Sequence, residues 1–154
     1  MNVKDLKNLV KDIVTQADRL KRTFVHEPAP VNYVCIFSHS DKEYVSLLKT
    51  AKQIGTVVKE THAGPIFQIA PVSTVAGAVQ VVKIRIPDTT PPERGDADFT
   101  LAQYDEFKKT HLAKNGFKLI ERDEFEMIEL MDPDYAVRVY FSNPPLDKQL
   151  GITQ

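Results

Sequence analysis

The apolar positions of this chain follow two different periods. Near the start they recur every three or four residues, which is the spacing of one face of a helix. This stripe comprises Val3, Leu6, Leu9, Val10, Ile13, Val14, Ala17 and Leu20. It predicts a helix from residue 1 to about residue 23, packed on the rest of the domain or on a second subunit. Two prolines at residues 28 and 30 make the following segment a linker.

From residue 31 onward, short apolar or alternating segments predict strands, with one helix among them. Ser40 is a suitable N-cap, and Gly55 suits the end of that helix. The predicted order is a strand at 31–37, a helix at about 41–54, strands at 56–60 and 65–70, a loop at 71–77 and a strand at 78–86. Residues 87–95 contain three prolines and are predicted to form a linker.

The second half of the chain repeats this order. Phe99 and Leu101 alternate with polar residues, so 96–101 is predicted to be a half-buried strand. A helix is predicted at 104–114, ending at Asn115-Gly116, followed by strands at 117–121, 125–131 and 137–141. The sequence Asp-Pro-Asp at 132–134 predicts the turn between the last two strands. The polar tail at 143–154 is predicted to lie on the surface.

The two halves also match in residue pattern. GTVVKET (55–61) matches GFKLIER (116–122), IFQIA (66–70) matches MIELM (127–131), and VKIRI (82–86) matches VRVYF (137–141). This internal repeat predicts an α+β fold of two βαβββ modules, at about 31–87 and 95–142, preceded by a helix and linker at 1–30.

Composition narrows the class of protein. The chain has 154 residues, of which 42% are apolar and 27% charged, as in a globular domain. A net charge of −1 provides no overall field that favours nucleic acid or an anionic membrane, so we expect neither as a partner. One cysteine, Cys35, excludes an internal disulfide, and its apolar surroundings predict a small buried side chain. We expect a cytoplasmic protein.

The paired modules resemble the vicinal oxygen chelate superfamily, which includes glyoxalase I, extradiol dioxygenases and bleomycin-resistance proteins. The resemblance is carried by DADFTLAQYDEF (96–107, from Asp96), GFKLIERDEFEMIEL (116–130), and the DPD turn followed by VRVYF (137–141). It covers about residues 31–141. It implies that the strands of both modules curl around one cleft.

Strand alternation indicates which side chains face such a cleft, because the apolar face of each strand should pack on the helices. The cleft candidates in the second module are Asp96, Asp98, Glu129, Arg138 and Tyr140, and those in the first are Gln68, Lys83 and Arg85. They are predicted ligand-binding residues, and no catalytic residue is assigned. We expect Asp96 and Arg138 to lie on neighbouring strands and to form a bidentate ion pair.

The resemblance also indicates where metal ligands would stand. The matching positions hold Val34, Lys83, Asp96 and Arg138. One valine, two cations and a single carboxylate do not make a divalent metal site. The four histidines have no ligand spacing either. We therefore expect no metal and no cofactor.

Three functions follow. The preferred one is a metal-free protein, similar to glyoxalase and bleomycin-resistance proteins, that binds a small, anionic molecule in the cleft. The second is a metal-dependent lyase, isomerase or dioxygenase of the same superfamily. The third is a structural or interaction protein that forms a homodimer through its N-terminal helix. The charged residues of the cleft could also be ion pairs on a solvated sheet face, or an acid–base pair.

Overall fold

One mixed sheet of eight strands organises the computed structural model, which describes residues 1–152. Two long helices and two short ones accompany the sheet. The elements are α1 (Val3–Phe24), β1 (Val31–Phe37), α2 (Asp41–Ala51), β2 (Gly55–Lys59), β3 (Ile66–Thr74), β4 (Gly77–Arg85), β5 (Gly95–Phe99), α3 (Tyr104–His111), β6 (Phe117–Glu121), β7 (Glu126–Leu130), β8 (Val137–Asn143) and α4 (Leu146–Gln149). This is an α+β fold, as the sequence predicts.

The strand order in space is β2-β3-β4-β1-β5-β8-β7-β6. In each module the first strand pairs in parallel with the last, β1 with β4 and β5 with β8, and the modules meet where β1 pairs antiparallel with β5. The second half of the order is therefore the first half related by an approximate twofold axis between β1 and β5. The sheet is open, with β2 and β6 at its edges.

Helix α1 packs on both modules. Asn2 caps it by accepting a hydrogen bond from the backbone N–H of Asp5, whose side chain accepts one from the Asn2 backbone in return. Its apolar stripe contacts β1 and β3 of the first module and β5 and β8 of the second. At roughly 1 to 2 kcal/mol for each buried aliphatic side chain, this packing outweighs helix propensity. The prediction that α1 packs on the domain is confirmed.

The strand register aligns one row of side chains across the four central strands. Lys83 pairs with Cys35, Cys35 with Asp96, and Asp96 with Arg138. Val34 lies one residue away, so its side chain points to the opposite face. The position that the resemblance gave to Val34 therefore belongs to Cys35. Both faces of β1 are apolar and buried, so alternation gives no orientation for this strand.

Two loop assignments have different outcomes. The predicted loop at 71–77 is wrong, since β3 continues to Thr74 and forms a tight hairpin with β4. A register irregularity between Gln68 and Val72 accommodates Pro71, which cannot donate a ladder hydrogen bond. The predicted turn at 132–134 is confirmed, with the Asp132 carboxylate accepting from the backbone N–H of Asp134 at 2.9 Å.

The C-terminal segment departs from the prediction of a surface tail. After β8 the chain forms α4, and Leu146, Gln149 and Leu150 line the cleft between the modules. Leucine side chains drive this packing, although the segment as a whole is polar. Residues 153 and 154, the last of the predicted tail, lie outside the described residues. Among residues 1–152, no helix has the length and apolar character needed to cross a membrane.

Candidate functional site

The concave face of the central strands encloses a cleft of about 450 Å³. This volume lies within the range of about 300 to 1,000 Å³ that is usual for small-molecule sites. Five of the eight predicted residues line it, namely Lys83, Arg85, Asp96, Asp98 and Tyr140. They come from β4, β5 and β8, whose clear alternation of apolar and polar residues fixes which side chains face the cleft.

The other three predicted residues lie elsewhere. Glu129 does not line the cleft, although it is the register partner of Tyr140 on β7 and accepts a hydrogen bond of 2.6 Å from the Tyr140 hydroxyl. Arg138 lines an adjoining groove. Gln68 does not line the cleft. The repeat alignment equates it with Glu129, but Glu129 pairs with Tyr140 while Gln68 pairs with Val81 and not with Arg85, the residue equivalent to Tyr140.

Asp96 is the most unusual group in the cleft. Its side chain lies on the cleft wall, the residue is only 7% exposed, and its Oδ1 atom has no hydrogen-bond partner among the described residues. Burial, reinforced by the negative charge of Asp98, raises the pKa of Asp96 to about 8, against the opposing effect of nearby cations. At neutral pH this carboxyl group therefore holds a proton and can donate a hydrogen bond.

Asp98, two residues along the same strand, is equally buried but fully hydrogen-bonded. It accepts hydrogen bonds from the Ser142 hydroxyl, from the Ser142 backbone N–H at 3.3 Å and from the Asn32 amide at 3.1 Å. Burial raises the pKa of Asp98 to about 7, and these donors limit the rise. Asp98 is therefore the more readily ionised member of the pair, and its partners hold it in place.

Two cations face these acids from the first module. The Arg85 guanidinium stacks over the Phe37 ring at 4.6 Å from the centroid and lies 3.9 Å from a carboxylate oxygen of Asp88. The Lys83 ammonium makes no salt bridge and no hydrogen bond with any described residue. Its charge acts on Asp96 and on Cys35 across the cleft floor. Lys83 is thus available to an anion that enters the cleft.

Arg138 does not form the predicted pair with Asp96. The two residues are register partners on neighbouring strands, as expected. However, the guanidinium donates to both carboxylate oxygens of Glu93, at 2.9 and 3.4 Å, and lies 3.9 Å from Glu129. Burial is the largest single influence on Glu93 and favours its neutral form, but the hydrogen bond from Arg138, a backbone hydrogen bond and the charges of Arg138 and Arg85 together lower its pKa. This pairing leaves Asp96 without the partner that the sequence suggested.

The floor of the cleft consists of β1 residues that the sequence did not assign. Cys35 is 4% exposed and lines the cleft beside Tyr33, two residues before it on the same strand. Burial raises the pKa of both groups well above their usual values, so neither carries charge at neutral pH. The repeat could have identified this floor. The alignment that matches Gly55 with Gly116 also matches Cys35 with Asp96 and Phe37 with Asp98.

Glu93 was also missed, since a proline-rich linker gives no sign that one of its residues becomes buried. It lies at the boundary with a larger groove of about 910 Å³ between the 87–95 linker and the 132–136 turn. Arg85 lines both spaces. The groove is walled by loops with prolines, whereas the cleft is built on four paired strands and holds the unpartnered carboxyl group. The cleft is therefore the stronger candidate site.

No three His, Cys, Asp or Glu side chains within residues 1–152 are arranged to hold a metal ion. Lys83 and Arg85 oppose a cation from one wall, and Cys35 is protonated on the floor. The donor set of the cleft fits an anion better than a metal.

Comparison with solved structures finds the same fold in a chain named "Structural Genomics, Protein EC4020". The TM-score is 0.72 at 12% sequence identity, and the match covers 98% of this chain and 92% of that chain. A likeness at this identity concerns the fold alone. No protein-family model and no curated protein matches this chain.

Proposed function

We propose that this chain is a cytoplasmic protein, similar to the vicinal oxygen chelate superfamily, that binds a small organic anion in its cleft without a metal. The observation that carries the proposal is the pair of unsatisfied groups on opposite walls. Lys83 has a charge without a salt bridge, and Asp96 has a buried oxygen without a hydrogen bond. Buried polar groups are rarely left without partners in folded proteins, so the Asp96 oxygen is a position at which a ligand group can form a hydrogen bond.

The charge pattern favours an anion. Lys83 and Arg85 lie on one wall, and a carboxylate between them would gain charge-assisted hydrogen bonds. The opposite wall offers Asp96, which at neutral pH carries a proton and does not repel an anion. Arg85 stacks on Phe37 and lies 3.9 Å from the Asp88 carboxylate, so its guanidinium N–H groups can also be offered to an entering anion.

The rest of the cleft suits the organic part of such a ligand. Ile66 and Met127 contribute apolar walls, and Leu146 of α4 covers one end. A small number of polar groups set in an apolar lining is the usual composition of a small-molecule site. The ligand class supported here is a small carboxylic acid with an apolar body.

A binding screen tests the proposal. Acetate, butyrate, benzoate and inorganic phosphate are titrated into the protein by calorimetry, with melting temperature as a second readout. We expect butyrate or benzoate to bind and to raise the melting temperature. Lys83→Met should weaken that binding at least about tenfold, since one charge-assisted hydrogen bond contributes about 1.5 to 3 kcal/mol.

Lys49→Met is the matched control, because Lys49 is exposed on α2 and does not line the cleft. It should bind the probes as the wild type does. The proposal fails if none of the four anions binds the wild type, or if Lys83→Met binds as tightly as Lys49→Met. Metal analysis of protein purified without chelators separates the alternative, since a stoichiometric divalent metal would favour the metal-dependent reaction.

A further inference from the structure

Asp96 is placed so that its protonation and the occupancy of the cleft affect one another. It is the register neighbour of Cys35 on β1 and of Arg138 on β8, and Lys83 follows Cys35 in the same row. Neighbouring strands lie about 4.8 Å apart, so Asp96 and Lys83 are separated by about two strand spacings. An anion seated at Lys83 therefore places its charge on the same face of the sheet as the unpartnered Asp96 oxygen, across the β1 floor.

We propose that the cleft takes up its organic anion together with one proton, which Asp96 holds and offers to the ligand as a hydrogen bond. This inference rests on the proposed function. It adds the linkage between ligand and proton and narrows the ligand to a carboxylate with one negative charge. In the bound state the Asp96 carboxyl O–H would donate to the ligand.

The linkage follows from the groups that act on Asp96. Lys83, Arg138 and Arg85 all favour its ionised form. A bound anion neutralises Lys83 and Arg85 and adds a negative charge near the carboxyl group. Arg138 cannot compensate, because Glu93 occupies its guanidinium. Each of these changes favours the protonated form, so binding raises the pKa of Asp96 further and draws in a proton.

The other groups around Asp96 cannot take this role. On β1, burial raises the pKa of Cys35 and Tyr33, so both are already protonated at neutral pH. On β8, Tyr140 is held by Glu129 of β7, and burial followed by the charge of Asp96 raises the pKa of its hydroxyl. Compared with these groups, the Asp96 carboxyl group titrates near neutral pH and has an oxygen without a hydrogen-bond partner among the described residues.

Asp98 is the remaining acid of the cleft, and its hydrogen bonds distinguish it from Asp96. Its oxygens accept from Ser142 and Asn32, so they are occupied by donors from the protein. The Asp147 carboxylate of α4 acts on Asp98 and disfavours its ionisation. A ligand in the cleft meets Asp98 as an acceptor that is already satisfied. The coupled proton is therefore assigned to Asp96.

The experiment measures benzoate and butyrate binding by calorimetry between pH 6.5 and pH 9, each in two buffers with different ionisation enthalpies. Neither probe titrates in this range. We expect the wild type to take up protons on binding, and its affinity to fall toward tenfold per pH unit above the pKa of about 8. Asp96→Asn keeps a hydrogen-bond donor that cannot titrate. It should show no uptake, and at pH 9 it should bind about tenfold more tightly than the wild type.

Asp12→Asn, at an exposed position of α1 that does not line the cleft, is the matched control and should keep the pH dependence of the wild type. Binding that is independent of pH, or that releases protons, would overturn the inference while leaving the proposed function intact. A folded Asp96→Asn protein that loses binding at every pH would also overturn it, since an ionised carboxylate would then be required. Failure of every probe at every pH would instead refute the proposed function.

Discussion

The two modules share one backbone plan but present different chemistry to the cleft. Cys35 and Lys83 pair in the first module as Asp96 and Arg138 do in the second. Two residues further along each strand, on the same face, Phe37 pairs with Arg85 in the first module and Asp98 pairs with Tyr140 in the second. At each first-strand position the first module has an uncharged residue and the second a carboxylic acid. The cleft therefore has an acidic wall and a basic wall, although the scaffold is nearly symmetric.

The equivalent cations of the two modules also differ in what holds them. Arg138 is engaged by Glu93 and Glu129, whereas Lys83 has no salt bridge within residues 1–152. The approximate twofold axis passes between Cys35 and Asp96, which are paired across the module boundary. Asp96 is the buried acid beside this axis, and the equivalent residue of the first module, Cys35, is not an acid. The comparison shows that divergence at a few register-equivalent positions converts a structural repeat into a polar, asymmetric cleft.

The largest expected effect comes from α1, which joins the two modules. Leu9→Asp together with Ile13→Asp should unfold the chain at room temperature, because Ile13 is fully buried and an unpaired charge at its position costs more than about 4 kcal/mol. Circular dichroism melting and solution mass would measure the effect. Ile13 lies close to β5, where a Cβ on Gly95 would come within 2.9 Å of its Cδ1 atom.

Lys11→Asp, at an exposed position of the same helix, is the control and should melt within a few degrees of the wild type. If only one module lost protection from hydrogen exchange in the double variant, the modules would be independent folding units. The comparison between them would then concern two domains instead of one.

An intermediate effect should separate the equivalent cations. Arg138→Met removes the partner of Glu93, which is 5% exposed, and should cost roughly 1 to 3 kcal/mol of unfolding free energy. Lys83→Met breaks no salt bridge and should change stability by less than about 0.5 kcal/mol. Urea denaturation of both variants measures the difference. If both variants lose the same free energy of unfolding, the ion pair between Arg138 and Glu93 makes no net contribution to stability.

The effect that depends most strongly on pH is a gain in stability from Asp96→Asn. The pKa of Asp96 is raised in the folded state to about 8, so the folded chain binds one proton more than the unfolded chain between about pH 4 and that value. Wild-type stability from this group therefore falls as pH rises through that window and levels off above it. The variant should gain little at pH 4 and roughly 1 to 4 kcal/mol at pH 8.

Urea denaturation across this range measures the gain, with Cys35→Ala as the comparison at the equivalent position. The Cys35 thiol stays protonated well above pH 8, because burial raises its pKa. The cost of its substitution should therefore not change with pH between 4 and 8. A constant gain for Asp96→Asn would mean that its carboxyl group titrates normally and that the contrast between the modules has no electrostatic basis.

Local sequence patterns determined a large part of this fold. The stripe of α1, the cap at Asn2, the DPD turn and the repeated order of elements depend on residues close together in the chain. Strands β5 and β8 were also oriented correctly, because their polar and apolar residues alternate strictly. That alternation was enough to identify Asp96, Asp98 and Tyr140 as cleft residues before any pairing was known.

Only the tertiary structure decided the contacts that give the cleft its chemistry. The orientation of β1 depends on burial of both its faces, and the position of Gln68 depends on the register between β3 and β4. Arg138 lies among several carboxylates, and the fold of a proline-rich linker places Glu93 in its reach. The sequence positions of oppositely charged residues do not show which of them will pair. The partner of Arg138 is decided by which carboxylate the fold brings close to it. The sequence by itself determined which faces β5 and β8 present, and the packing of the two modules decided which acid remained without a partner.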